Sequence, residues 1–176
     1  TLQMLGTIAA MQDKRAEAKK WSEASLRVRE EIGDVWGMAN TLLDLSNLAR
    51  DEGQFDQAEA LCERSRALHQ QVGNKRGMAV AIFSLGVNAL DRRDYARTVE
   101  LTGQALEIFD ELGDHTLIGL AHNNLGYAEM HRGNFRQAAA HQVESLGHAR
   151  AAGDHRGQLY SLEGLAGALA LSGSPL

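Results

Sequence analysis

The chain has 176 residues, of which 44% are hydrophobic, 5% aromatic and 23% charged. This hydrophobic share can bury a continuous core, and a single proline with few aromatic residues favours helices over strands. The formal net charge of -5 supplies none of the positive field that a phosphate backbone requires, so we expect no direct binding to nucleic acid.

The single cysteine, Cys62, cannot form an internal disulfide and has no second thiol for a metal or redox pair. No apolar run is long enough to span a bilayer, and the first residues lack a signal-peptide pattern. These features predict a cytoplasmic protein without membrane contact. Because Thr1 already stands inside a helical pattern, we expect the chain to be part of a longer protein.

Helical patterns fill the chain from end to end without a linker. In chain order, the predicted helices span residues 1–12, 15–32, 35–52, 55–72, 75–92, 95–112, 115–132, 135–152 and 155–171. The sequence therefore predicts one all-α repeat domain over 1–176, with about four and a half helical hairpins. The predicted repeats are 1–34, 35–74, 75–114, 115–154 and the partial repeat 155–176.

A period of 40 residues organises these helices. Leucine followed by a small residue recurs with this spacing, at Leu5, Leu45, Leu85, Leu125 and Leu165. Glycine followed by Asp or Asn recurs with the same spacing, at Gly33, Gly73, Gly113 and Gly153. Glycine readily takes the left-handed conformation that ends a helix, and the following side chain can cap the next helix. The glycine positions therefore mark the boundaries between repeats.

A third pattern marks a tight turn in the middle of three repeats. It reads Gly53-Gln54-Phe55, Arg93-Asp94-Tyr95 and Gly133-Asn134-Phe135, with a small residue three positions after each aromatic. The leucine and small-residue pair, this turn and the later small residue resemble the tetratricopeptide repeat. The first repeat departs from the pattern, with Asp13 and Arg15 where the turn glycine and aromatic would stand.

The resemblance implies tandem helical hairpins stacked into a right-handed superhelical solenoid. The 40-residue period is longer than the common form of this repeat and adds roughly one turn to each hairpin helix. It is similar to the longer repeats of bacterial transcriptional regulators, signalling ATPases and kinesin light chains.

Each first helix carries a core stripe at 3.6-residue spacing, for example Leu42, Leu45 and Ala49. A second stripe lies two residues behind it, and in the resembling family that stripe lines the concave groove. The candidate partner-binding residues on it are Asn40, Leu43, Asn47, Arg50, Val80, Phe83, Val87, Leu90, Asn123, Tyr127 and Met130, with Asn124 beside them.

The apolar and aromatic members of this stripe predict a groove for a peptide or an amphipathic helix. The alternative is that the stripe packs first helix against first helix between repeats. Asn124 stands where peptide-binding relatives hold a ligand with asparagine. A two-carboxylate clamp is not expected, because only Arg50 would bring a positive charge to the groove.

Seven histidines raise the question of a metal site. His115 and His122 lie seven residues apart on one helical face, as do His141 and His148, and two turns are too far for two ligands of one ion. We therefore expect no metal or other cofactor. His122 stands at a core position, which predicts a buried, hydrogen-bonded histidine, and a pH-sensing role is the alternative.

No nucleophile, base and orienting group occur in a recognisable arrangement, so the sequence predicts a binding module rather than an enzyme. The leading hypothesis is a protein-interaction scaffold or sensor segment, and resemblance alone places it in a bacterial transcriptional regulator. One alternative is a domain that senses a small-molecule effector. The other is self-assembly into a homo-oligomer through solenoid ends that lack polar capping helices.

Overall fold

The computed structural model describes residues 1–12 and 14–173 and contains, over these residues, nine α-helices and no strand. The helices are α1 (Leu2–Met11), α2 (Arg15–Ile32), α3 (Val35–Asp51), α4 (Phe55–Gln71), α5 (Lys75–Asp91), α6 (Tyr95–Leu112), α7 (His115–His131), α8 (Phe135–Ala151) and α9 (His155–Ser172). The prediction of an all-α chain of helical hairpins is confirmed, with helix ends within two residues of those expected. Asp13 lies outside the described residues.

The helices group into two compact units, Thr1–Asn88 and Ala89–Leu176. In the first unit, α1 packs against α2, α2 against α3, and α3 against α4. In the second, α6 packs against α7, α7 against α8, and α8 against α9, and α7 also contacts α9. The division falls inside α5, away from the expected repeat boundaries, whose extents stay a prediction. None of the described helices is long and apolar enough to cross a membrane.

Glycine and a capping side chain end one helix and begin the next at the positions that the sequence predicts. Gly33 ends α2 with a φ of 72°, and Gly113 ends α6 with a φ of 65°. The next residue then caps the following helix. Asp34 accepts a hydrogen bond from the backbone N–H of Gly37 at 2.9 Å, and Asp114 accepts one from Leu117 at 3.2 Å. These caps satisfy N–H groups that have no partner inside the helix.

The small residue after each repeated leucine lets the two helices of a hairpin approach closely. A Cβ atom added to Gly126 of α7 would lie 3.0 Å from Cδ and 3.1 Å from Cγ of Gln142 in α8. In the α3–α4 hairpin, the equivalent pair is Ser46 and Cys62, whose Oγ and Sγ atoms are 2.8 Å apart. The long Gln142 thus faces a glycine and the short Cys62 faces a serine, so both hairpins keep a close-packed interface.

We expect Gly126→Ala to destabilise the protein, because the added methyl group would overlap the buried Gln142 side chain. Overpacking of this kind costs roughly 1–3 kcal/mol, and the gain in helix propensity offsets part of it. The matched control is Gly147→Ala in α8, where an added Cβ would meet no atom within 4 Å. It should stabilise the helix by about 0.5–1 kcal/mol. Urea denaturation of both variants tests this, and equal midpoints would contradict the packing argument.

Candidate functional site

The twelve candidate partner-binding residues lie on α3, α5 and α7, and none of them is fully buried. Their neighbours on the core stripe are buried, with Ile82 6% and Leu85 2% exposed. Tyr127, by contrast, exposes 45% of its surface. The second stripe is therefore accessible along these three helices, and its role in binding stays a prediction.

A cleft of about 460 Å³ in the second unit brings four of the candidates together, namely Leu90, Asn123, Asn124 and Tyr127. The other residues that line it are Asp91, Arg93, Tyr95 and His131. These side chains come from the end of α5, the α5–α6 turn, the start of α6 and one face of α7. We call this feature the α7 cleft.

The remaining candidates do not line the α7 cleft. Met130 packs between repeats, because a Cβ atom added to Gly167 of α9 would lie 3.5 Å from its Sδ atom. This contact is of the kind that the alternative describes, in which the stripe packs one first helix against the next. Asn47 lines a separate cavity of about 140 Å³ in the first unit, together with Asp44. The candidates outside the cleft are Asn40, Leu43, Asn47, Arg50, Val80, Phe83, Val87 and Met130.

Three rings form an aromatic wall in the α7 cleft. The rings of Tyr95 and His131 stack with their centroids 4.8 Å apart and their planes within 6°. The ring of Tyr127 lies 4.5 Å from that of His131 and is tilted by 55°. The sequence pattern places Tyr95 in the interhelical turn and does not single out His131. The signal for His131 was available, since it lies four residues after Tyr127 on the same face of a helix.

Gln142 holds Asn123 in place at the edge of the cleft. Its side chain is 2% exposed and fills the space where Gly126 of α7 and Gly164 of α9 have no side chain. Its Oε1 atom accepts a hydrogen bond from Nδ2 of Asn123 at 3.3 Å, and its Nε2 atom donates one to the Asn123 carbonyl oxygen at 3.3 Å. Asn123 is therefore oriented before any ligand arrives, which lowers the entropy cost of binding.

Arg93 has a strained backbone where it lines the cleft. Its φ is 61°, and it is the only described residue other than glycine with a positive φ. The equivalent turn residues are Gly53 and Gly133, with φ values of 75° and 80°. A side chain in this left-handed region costs about 1 kcal/mol or more.

The histidines of α7 and α8 pair between the two helices. Nδ1 of His122 lies 3.0 Å from Nδ1 of His141, and Nδ1 of His115 lies 3.1 Å from Nδ1 of His148. The prediction for His122 was right about hydrogen bonding and wrong about full burial. Both His122 and its partner His141 are partly exposed. Burial lowers the pKa of His122 and of His141, and the charge of His141 lowers that of His122 further.

Two other kinds of reactive group are the single cysteine and the potential metal ligands. Cys62 is buried against Ser46, and burial raises the pKa of its thiol, which disfavours the nucleophilic thiolate. Within residues 1–12 and 14–173, no three or more His, Cys, Asp or Glu side chains converge in a geometry that could hold a metal ion.

We expect Arg93→Gly to stabilise the protein by about 1 kcal/mol, because glycine adopts the left-handed conformation without a steric penalty. The reciprocal control is Gly133→Ala, which places a side chain at a φ of 80° and should destabilise by a similar amount. Denaturant titration measures both changes. Loss of stability in Arg93→Gly would show that contacts of the arginine outweigh its backbone strain.

We also expect the free energy of unfolding to fall as the pH drops below 6.5. The pKa values of His122 and His141 are lowered in the folded protein from an ordinary value of 6.5, so the unfolded chain takes up protons first. Stability is therefore lost on acidification through 6.5 and regained above it. Denaturation midpoints measured from pH 5.5 to 8 test this, and His122→Leu should flatten the dependence. An unchanged slope in that variant would contradict the assignment.

Comparison with known proteins supports the repeat pattern. Residues 37–111 match the family model described as tetratricopeptide repeat. No sequence among the curated proteins matches the chain. The matched segment contains the leucine and small-residue pairs at Leu45 and Leu85 and the turns at Gly53 and Arg93.

Solved structures share the fold at low sequence identity. The apo form of RapI matches with a TM-score of 0.85 and 15% identity over 98% of this chain and 65% of that one. A Rap protein complexed with competence and sporulation factor matches with a TM-score of 0.84 and 14% identity, over 98% of this chain and 48% of that one. The third is a signal transduction ATPase with numerous domains and a tetratricopeptide repeat sensor, from Pyrococcus horikoshii. It matches with a TM-score of 0.79 and 10% identity, over 93% of this chain and 26% of that one.

The chain thus spans less than two thirds of each of these three proteins. Sequence identities this low show a shared fold and do not transfer the activities of those proteins to this chain. Residues 37–111 thus match tetratricopeptide repeats, and the chain shares the fold of these solved structures.

Proposed function

We propose that the α7 cleft binds a peptide or an amphipathic helix, and that the chain serves as a protein-interaction scaffold or sensor segment. The observation that carries this proposal is the gathering of Leu90, Asn123, Asn124 and Tyr127 in one open cleft beside the aromatic wall. Four residues selected for groove binding thus meet in a single depression of the second unit.

The chemistry of the cleft suits a peptide that carries both apolar and acidic groups. The rings of Tyr95, Tyr127 and His131 offer faces and edges against which apolar side chains pack. Asn123 and Asn124 carry amide groups that can pair with a peptide backbone. The guanidinium group of Arg93 can form a bidentate, charge-assisted hydrogen bond with a ligand carboxylate. These features favour a ligand whose acidic side chain or terminus lies next to an apolar anchor.

The proteins of similar fold support a role in signal reception. One of them is a Rap protein complexed with competence and sporulation factor, and another carries a tetratricopeptide repeat sensor beside an ATPase. We extend the sensor role to this chain as a proposal. Membership of a bacterial transcriptional regulator and a location in the cytoplasm belong to the same proposal and rest on this likeness.

A small-molecule effector is the second candidate ligand. The cleft volume of about 460 Å³ falls in the range of about 300–1,000 Å³ that is usual for small-molecule sites. A metabolite held there would contact the aromatic wall and Arg93. A thermal-shift screen separates the two candidates, because a metabolite that binds the folded state raises the melting temperature with its concentration.

Self-assembly, the third hypothesis, has one observation in its favour. Helix α1 exposes several large apolar side chains, namely Met4, Leu5, Ile8 and Met11. A second copy could cover them, which would make the chain a homo-oligomer. Light scattering at high protein concentration tests this, and a strict monomer would count against it.

Screening a library of acidic and apolar peptides against the chain tests the leading proposal. We expect Tyr127→Ala to weaken the best peptide at least tenfold, or about 1.4 kcal/mol, because removal of a central aromatic anchor is costly. The matched control is Val143→Ala on α8, which removes a side chain that is 53% exposed and does not line the cleft. Peptide binding that is equally strong in wild type and Tyr127→Ala would overturn the proposal.

A further inference from the structure

Four histidines form a second cluster of interacting side chains in the second unit, on the α7–α8 hairpin. They are His115 and His122 of α7 and His141 and His148 of α8, and we call them the histidine ladder. Each helix spaces its two histidines seven residues apart, and the hairpin sets His115 against His148 and His122 against His141. The rings of His122 and His148 also stack, with centroids 6.1 Å apart and planes within 14°, so the two pairs are adjacent.

We propose that the histidine ladder binds late first-row divalent transition ions, of the Ni²⁺, Cu²⁺ and Zn²⁺ class, with one ion held by each facing pair. Along one helix, two histidines seven residues apart are too far from each other to bind one ion. The hairpin instead supplies ligand pairs across two helices. This site is distinct from the peptide cleft and does not depend on its function.

The distance between paired nitrogens suits two neighbouring ligands of one ion. With the Nδ1 atoms 3.0 and 3.1 Å apart and metal–nitrogen bonds of about 2.0–2.1 Å, the angle at the metal would be about 90–100°. Adjacent ligands meet at such angles in octahedral and tetragonal sites, as Ni²⁺ and Cu²⁺ prefer. A tetrahedral Zn²⁺ ion would need the nitrogens to separate further by only about 0.3 Å.

The protonation state of the ladder is compatible with metal binding. In the metal-free pair, one Nδ1–H group donates to the Nδ1 lone pair of the other ring. On metal binding, the donor ring moves its proton from Nδ1 to Nε2, so both Nδ1 atoms can coordinate and no proton is lost overall. Burial lowers the pKa of His122 and His141, which favours the neutral form that metals require.

Nearby carboxylates add a negative potential that favours a divalent cation. Glu144 lies between His141 and His148 on α8 and acts electrostatically on both His122 and His141. Asp110 of α6 acts on His122, and Glu129 of α7 acts on His141. An ion at the ladder would thus be attracted chiefly by Glu144 and Asp110, because Glu129 is already ion-paired with Arg132 at 2.7 Å.

Water would complete the coordination shell of each ion. No third protein ligand converges on either pair within the described residues, so each ion would take two imidazole nitrogens and keep water at its other positions. A small cavity of about 40 Å³ next to His115 and His148 has room for such water, by the measure that about 10–15 Å³ admits one molecule. His115 is also exposed to solvent, which gives the ion a path of entry.

Thermal denaturation of the full chain with Ni²⁺, Cu²⁺ or Zn²⁺ tests the proposal, with Mg²⁺ as the control ion. At a metal concentration of about 100 times the dissociation constant, we expect the melting temperature to rise by about 5 °C or more, and EDTA to reverse the rise. Mg²⁺, which prefers oxygen ligands, should leave it unchanged. Calorimetric titration should give two ions per chain.

The double variant His122→Gln with His148→Gln removes one ligand from each pair and should abolish the metal-dependent rise. His155→Gln is the matched control, because His155 is exposed on α9 and stands outside the ladder. Electron paramagnetic resonance of the Cu²⁺-loaded wild type should show two nitrogen ligands per ion, which tests coordination without relying on variant stability. No rise with any of the three ions, a rise that survives the double variant, or a single ion per chain would each overturn the proposal.

Discussion

The close approach of two helices within each hairpin is the constraint on which the rest of the structure depends. It requires a small residue after each repeated leucine, and the size of the facing residue on the second helix varies to match. Gly126 faces the long side chain of Gln142, whereas Ser46 faces the short Cys62. Such paired changes keep the interface close-packed while the surface of each repeat is free to differ.

Helix boundaries were predictable because their causes are local. Gly33 with Asp34, and Gly113 with Asp114, each contain within two residues both the end of one helix and the cap of the next. The accessible stripe was also predictable from 3.6-residue spacing. The α7 cleft was not, because the stacking of Tyr95 on His131 joins residues that are distant in sequence and meet only when α6 packs against α7.

The histidine pairs show a second limit of reasoning from sequence. Spacing along one helix gave His122 a core position and placed His115 too far away to bind the same metal ion. Only the register of α7 against α8 reveals that each has a partner across the hairpin. The same register leaves both rings of the His122–His141 pair partly exposed. Which residues face each other across a hairpin thus depends on how the two helices pack, and no local sequence pattern contains that information.

Gln142 has a consequence for anyone who would transplant the cleft into another repeat scaffold. It is a second-helix residue that reaches between two glycines to hold Asn123, so the recognition surface of α7 is anchored from the helix behind it. Grafting the visible cleft residues alone would leave Asn123 unsupported. The smallest portable module therefore adds Gln142, Gly126 and Gly164, which lie on α8, α7 and α9, to the cleft residues of α5, α6 and α7.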